Sequence, residues 1–233
     1  MTGTGVRVLV VGATGEIGGI AARQLAGHGA ATALAGRNRR RLEETAGELG
    51  GRPWQTFDAY DLDGCARLAG WAGTALGGLD ALVVAVGVAG FGPAADVSDA
   101  SCEHLFTVNA LAPMAVVRGA LPVLGAGGAV VVVTGEIVDR PALGMADYAA
   151  AKGALAVWLG VVGREARRRR IGVTDVRMPH LDTGFAGRAA VGTAPALPPG
   201  ADPAEAVGRL VVTPALGASA GGGDAPDRDS TGP

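Results

Sequence analysis

Lysine, cysteine and aromatic residues are all scarce in this sequence, and each scarcity excludes something. The two cysteines, Cys65 and Cys102, lack metal-ligand spacing and are too few for a disulfide framework, so a reducing cytoplasm is the expected setting. No metal site is expected. Aromatics make up 4% of the 233 residues, so the core must be Ala, Val and Leu packed among 40 glycines. Net charge is only −2 and the pI is about 5.9, which argues against nucleic acid or an anionic membrane as partner. No apolar run is long enough to span a bilayer, and the N-terminal MTGTGVRVLVVGA is too short and Gly-punctuated for a signal peptide. Of 20 basic residues, Lys152 alone is lysine. A GC-rich genome accounts for the arginine and Ala/Gly bias, which leaves the solitary lysine in need of a chemical reason.

What is present is alternation. Short apolar runs fall at 6–11, 31–35, 55–58, 81–86, 129–133 and 173–177. Helix-length stretches fall between them, at 18–27, 39–49, 62–76, 100–121 and 146–169, with a further helix at 204–212. Near-continuous Val/Leu strands alternating with helices predict an α/β fold: a doubly wound parallel sheet of six strands, a weak seventh at most, with helices on both faces. Residues 1–212 read as one domain. Residues 213–233, ending in the Gly-rich GASAGGGDAPDRDSTGP, read as a disordered C-terminal tail.

The first strand runs into Gly12-Ala13-Thr14-Gly15-Glu16-Ile17-Gly18 and then a helix. In that context Gly12 makes a tight turn, Gly15 lets a pyrophosphate approach the backbone, and Gly18 lets helix and strand pack closely. The free N–H groups of the helix start, with Thr14, Glu16 and Ile17 around them, then face a dinucleotide's phosphates. The second strand ends Ala35-Gly36-Arg37-Asn38 with no acid to hold a ribose 2′-hydroxyl. An Arg cluster at a helix start opposes the macrodipole unless an anion relieves it. Arg37 and Asn38 therefore point to a 2′-phosphate, and so to NADPH in preference to NADH. The cluster at 167–170 sits near a helix C-terminus, where cations are welcome, and reads as structural.

Tyr148 and Lys152 are four apart in DYAAAK and share a helix face. A tyrosine titrates near about pH 10, and an adjacent ammonium should lower that value and make the phenol a proton carrier at neutral pH. Arginine's planar fork would not replace a compact three-donor ammonium.

Together these residues resemble the short-chain dehydrogenase/reductase family over about residues 6–185, with a Rossmann-like fold implied. The matching positions are GATGEIG at 12–18, Arg37, Asp58-Ala59, Ala85 and Gly87 after the fourth strand, Asn109 in TVNALAP, Tyr148-x-x-x-Lys152, and Pro179, Leu181 and Thr183 after the sixth strand. The resemblance implies that Asp58 holds the adenine amino group. It implies that Asn109 kinks its helix and holds a relay water, that Tyr148 is the acid/base, that Lys152 binds the nicotinamide ribose, and that Thr183 touches the carboxamide. One departure is central. The family's catalytic serine falls at position 135, which is glycine here. Thr134 is the stand-in for polarising a carbonyl, although neighbouring strand residues face opposite ways. A serine restored at 135 should then raise carbonyl reduction. Glu136 and His180 are weaker candidates for the site, His180 being expected to face solvent. The expected function is reduction of a ketone or aldehyde, or the reverse oxidation, on a small apolar substrate under a lid at 183–200 containing Phe185 and Leu197. A homodimer or homotetramer through the two long helices is expected. The alternatives are a non-redox enzyme on this scaffold (cyclase, dehydratase or isomerase) and a non-catalytic cofactor-binding protein.

Overall fold

The computed structural model describes residues 5–217. Six strands form one sheet: β1 (Arg7–Val11), β2 (Ala31–Gly36), β3 (Trp54–Thr56), β4 (Ala81–Val84), β5 (Ala129–Val133) and β6 (Gly172–Val176). Their order is β3-β2-β1-β4-β5-β6 and every pairing is parallel. This is the doubly wound arrangement expected from the alternation, and it places a reversal of strand order between β1 and β4, where such sheets bind ligands. Among the described residues there is no seventh strand.

Helices cover both faces because the central strands β1, β4 and β5 carry buried apolar residues on both sides. On one face α3 (Leu62–Leu76), α5 (Ala112–Ala120) and α6 (Ala146–Ala166) pack on Leu9, Val11, Val84, Val130 and Val132. On the other, α1 (Glu16–Gly27), α2 (Arg39–Glu48) and the C-terminal helical segment pack on Val8, Val10, Leu34, Val131 and Val133. Small residues set the spacing: a side chain at Gly119 of α5 would overlap the backbone of Ala66 in α3.

Two boundaries differ from the sequence expectation. The helix expected over 100–121 is α4 (Asp99–Phe106), a π-helical turn (Thr107–Leu111) and α5. The wide turn falls where Asn109 leaves the helical ladder to bond elsewhere, a common cause of such bulges. The last helix also continues past 212: α7 (Pro203–Val207) leads through a π-turn (Gly208–Val212) into α8 (Thr213–Gly217), which buries Ala215. Of the residues expected in the tail, 213–217 are helical and Ala215 reaches the core. The tail expectation for 218–233 lies outside the described residues.

Candidate active site

The glycine loop has the geometry of a cradle. Gly12 has φ 93°, and a Cβ there would come within 2.5 Å of Ala85 O. A Cβ on Gly18 would collide with Gly12 O, so α1 can start here only with glycine at both places. Gly15 is the N-cap of α1 and offers no side-chain cap, so the first amides, including those of Glu16 and Ile17, have no side-chain acceptor. A Cβ on Gly36, at the end of β2, would lie 3.0 Å from Thr14 Oγ1, so glycine here lets the turn before Arg37 sit beside the loop. Among the described residues Arg39 pairs with Glu43 and Arg40 with Glu44, while Arg37 has no ion-pair partner. Asn38 serves instead as the N-cap of α2, its side chain accepting from Arg41 N at 3.0 Å. Asp58 is exposed, and Ala59 follows it in the turn after β3, with one carboxylate oxygen accepting from Tyr60 N at 2.9 Å. These residues fit a dinucleotide, with an uncapped helix start for its phosphates and an unpaired cation beside it.

Tyr148 and Lys152 lie on the buried face of α6 at the same end of the sheet, 8% and 3% exposed. Lys152 Nζ donates to the carbonyls of Val133 (3.2 Å) and Val86 (3.4 Å) rather than to the phenol. Gly87 leaves room for this: a side chain there would sit 3.0 Å from Lys152 Nζ and 2.9 Å from Asn109 Oδ1. The expectation that Lys152 makes Tyr148 acidic is corrected here. Burial pushes the phenol up to about 12 and lowers the ammonium to about 8, the latter partly offset by the Asp175 carboxylate. Both groups have lost water, and each responds by favouring its neutral form. Tyr148 therefore keeps its proton at neutral pH, as a proton donor must.

Asn109 is fully buried, and its amide is spent on the backbone. Nδ2 donates to Leu105 O (2.9 Å) and Val88 O (3.0 Å), and Oδ1 accepts from Val88 N (3.0 Å). The side chain braces the chain after β4 and has no free donor for a relay water.

Thr134 does not take the place of the missing serine. It is 1% exposed, and its hydroxyl donates to the Asp175 carboxylate on β6 and lies 3.3 Å from Val176 O. Gly135 has φ 119° and ψ 157°, a conformation that glycine adopts freely and other residues only under strain. The serine position is thus unoccupied by a hydroxyl for a backbone reason, which reverses the expectation for Gly135→Ser. That variant is expected to lose about 1–3 kcal/mol, a fall of a few degrees in Tm by thermal melt, without gaining carbonyl reduction. A serine variant with wild-type Tm and raised turnover would show that the loop can take the family's conformation.

The lid is held at several points. Residue 191 bridges Gly90, with Phe91 N donating to Val191 O at 2.8 Å, and Leu181 bridges Ala201. Glu16 anchors it to the glycine loop: its Oε1 lies 2.6 Å from Arg188 Nη2 and accepts from Gly184 N at 3.2 Å. Thr183 Oγ1 accepts from Phe185 N, Pro179 is half-buried, and His180 and Glu136 are exposed. Phe185 and Leu197, the apolar residues of the expected lid, are 37% and 41% exposed. The register set by the Gly90–Val191 bridge instead puts Phe91, Leu105, Met145 and Val191 beside Tyr148, in a space closed to water.

Sequence reasoning missed Asp175, Arg177 and Arg188. A signal existed for the first two, since β6 reads GVTDV against AVVVV for β5, and a carboxylate in a strand covered by helices needs a partner.

The comparisons agree with this architecture. A family model described as short chain dehydrogenase matches residues 6–191. The oxidoreductase YxnA of Bacillus subtilis (strain 168) is 28% identical over 187 residues, 76% of this chain and 52% of that protein, so the match spans about half of its length. A Streptomyces violaceoruber protein, named for a granaticin polyketide synthase ketoacyl reductase, is 29% identical over 197 residues, 77% of this chain and 69% of that one. A short chain dehydrogenase from Burkholderia cenocepacia J2315, solved in complex with NADP, superposes with TM-score 0.79 at 26% identity, covering 92% of this chain and 93% of its own.

Proposed function

This chain belongs to the short-chain dehydrogenase family, and from that premise we propose that it is an NAD(P)-dependent oxidoreductase that reduces a ketone or aldehyde with NADPH, or runs the reverse oxidation. The observation that carries this reading is the buried Tyr148–Lys152 pair opposite the uncapped start of α1. A bound NADPH supplies the hydride that the carbonyl carbon accepts. Tyr148 gives its phenolic proton to the carbonyl oxygen. Lys152, below its lowered midpoint, offers an ammonium to the ribose hydroxyls and to the resulting phenolate. Gly12, Gly15 and Gly18 would admit the phosphates, and Pro179, Leu181 and Thr183 would border the nicotinamide end. Ala85 and Gly87 line its path, and Asp58 takes the adenine amino group. Phe91, Leu105, Met145 and Val191 would receive the apolar part of the substrate once the lid lifts.

Preference for NADPH rests on Arg37. Its guanidinium lacks an ion-pair partner among the described residues, whereas Arg39 and Arg40 are paired. Arg37→Ala is expected to weaken NADPH binding by about tenfold or more, the worth of a charge-assisted hydrogen bond of about 1.5–3 kcal/mol, and NADH binding by much less. Fluorescence titration of both cofactors checks this, and equal losses would defeat the assignment.

One observation favours a second reading: with no side chain at Gly135 and the Thr134 hydroxyl bonded to Asp175, neither residue after β5 joins Tyr148 in polarising a carbonyl. A non-redox enzyme on this scaffold would fit that gap. NADPH binding without consumption across a panel of ketones and aldehydes would favour it.

We also propose a homodimer through the helical segments over 99–120 and 146–166, where Leu111 of the π-turn is 44% and Val157 and Val161 of α6 are 74% and 41% exposed. No helix among the described residues is long and apolar enough to cross a membrane.

A further inference from the structure

Beneath the Tyr148–Lys152 pair lies a charged cluster that the proposed chemistry does not use. Thr134, Asp175 and Arg177 all project from the α6 side of the sheet, because Asp175 registers with Val132 of that face and side chains alternate along a strand. The Asp175 carboxylate accepts from Thr134 Oγ1 on one oxygen and lies 3.0 Å from Arg177 Nη2 on the other. Arg177 also reaches Asp139 at 3.8 Å, and its Nη1 is buried with no hydrogen-bond partner. Lys152 Nζ lies at the adjoining end of β5, bonded to the carbonyl of Val133, the residue before Thr134. The cluster thus joins the buried ammonium to a carboxylate whose position is set from both sides.

We propose that Asp175 is a positioning residue for Lys152: held by the Thr134 hydroxyl and shared with the competing Arg177, its carboxylate keeps the buried ammonium charged. This rests on the reading that Lys152 serves the site. It gives Thr134 a role in place of the missing serine's, which is to orient the acid below the lysine. The groups facing Lys152 are few. Tyr148 comes from α6 itself, Asp175 and Arg177 from β6, and Asp139 acts through Arg177 from the turn after β5. The chain after β4 contributes only the carbonyl of Val86, and the π-turn contributes the neutral Asn109. Among the described residues Asp175 is the only acid in direct contact with the cluster's hydroxyl. Desolvation drives Lys152 toward its neutral form, and the nearby carboxylate opposes this. The physical logic is that of a buried charge, which persists only when paired.

The chain's single lysine makes the test direct. Lysine labelled with 13C at Cε gives one side-chain signal in the whole protein, and its shift against pH reports the ionisation of Lys152. Wild type is expected to titrate near about 8. Asp175→Asn should lower that midpoint by about one pH unit, the lower end for loss of a nearby opposite charge. Arg177→Gln removes the competing cation and should raise it. Opposite movements cannot come from general loosening of the fold, which would send both toward the free value. Unchanged midpoints in both variants would overturn the proposal, as would a rise in Asp175→Asn. Should Asp175→Asn fail to fold, Arg177→Gln alone decides, because an unmoved or lowered midpoint would overturn it. The titration needs no substrate. A failure of the reductase reading would appear separately, as NADPH left unconsumed while the lysine midpoint still follows residue 175.

Discussion

Tyr148→Phe is expected to lower carbonyl reduction by about 10²–10⁴-fold, the usual worth of a general acid, while NADPH still binds. The argument is local. The ring is 8% exposed and packs in α6, and phenylalanine retains that packing. What is lost is one hydroxyl, whose proton burial holds up to about 12. A phenol that keeps its proton through the neutral range supplies it only to a partner that becomes strongly basic, as a carbonyl oxygen does while it accepts hydride. The variant should therefore melt close to wild type, bind NADPH within a few-fold, and fail in turnover. NADPH absorbance with a carbonyl panel reads the last, and fluorescence titration the second. Turnover within about tenfold of wild type would remove Tyr148 from the proton-donor role.

The second large effect is expected at a residue without a side chain. Gly18→Ala places a methyl against Gly12 O, in a contact between two backbones. No rotamer relieves it, so either α1 lifts from the turn or the turn opens. Overpacking of this kind costs about 1–3 kcal/mol and sometimes more. For a domain of this size each kcal/mol is roughly 2–4 °C of Tm, so a fall of about 6–12 °C is expected at the upper end. The same movement withdraws the amides of Glu16 and Ile17 from the place where a pyrophosphate would lie. NADPH affinity should fall by about a hundredfold, equivalent to about 2.8 kcal/mol. An alanine variant with wild-type Tm and NADPH affinity would mean that the cradle is not rigid and that the glycine spacing has another origin. The control is Gly27→Ala in the same helix, where a Cβ meets nothing and the melting temperature should rise slightly, by helix propensity.

The parts of this molecule legible in its sequence are those governed by near neighbours. Alternating Val-rich runs and helical stretches announced the parallel sheet, and α3 was placed to the residue because Asp61 and Gly77 bound it with a cap and a left-handed turn. The glycine loop was legible because turn, close approach and helix start occupy seven consecutive residues. The i, i+4 spacing of Tyr148 and Lys152 was enough to put them on one face of α6. The break at Asn109 was visible only through the family resemblance, since a π-turn has no composition of its own and its side chain bonds to Val88, 21 residues away. The lid's register was hidden for the same reason: Glu16 and Arg188 meet across 172 positions.

The order of residues along the chain therefore determined the scaffold, the cradle and the identity of the acid–lysine pair, because periodicity and spacing act over a turn or a strand. Tertiary structure alone decided the protonation of that pair, the direction of the Thr134 hydroxyl and the backbone at Gly135. Each depends on how much water is excluded and which distant group comes to lie alongside. Burial reversed the expected shift of Tyr148, and β6 brought Asp175 to claim the hydroxyl that a catalytic role would have needed.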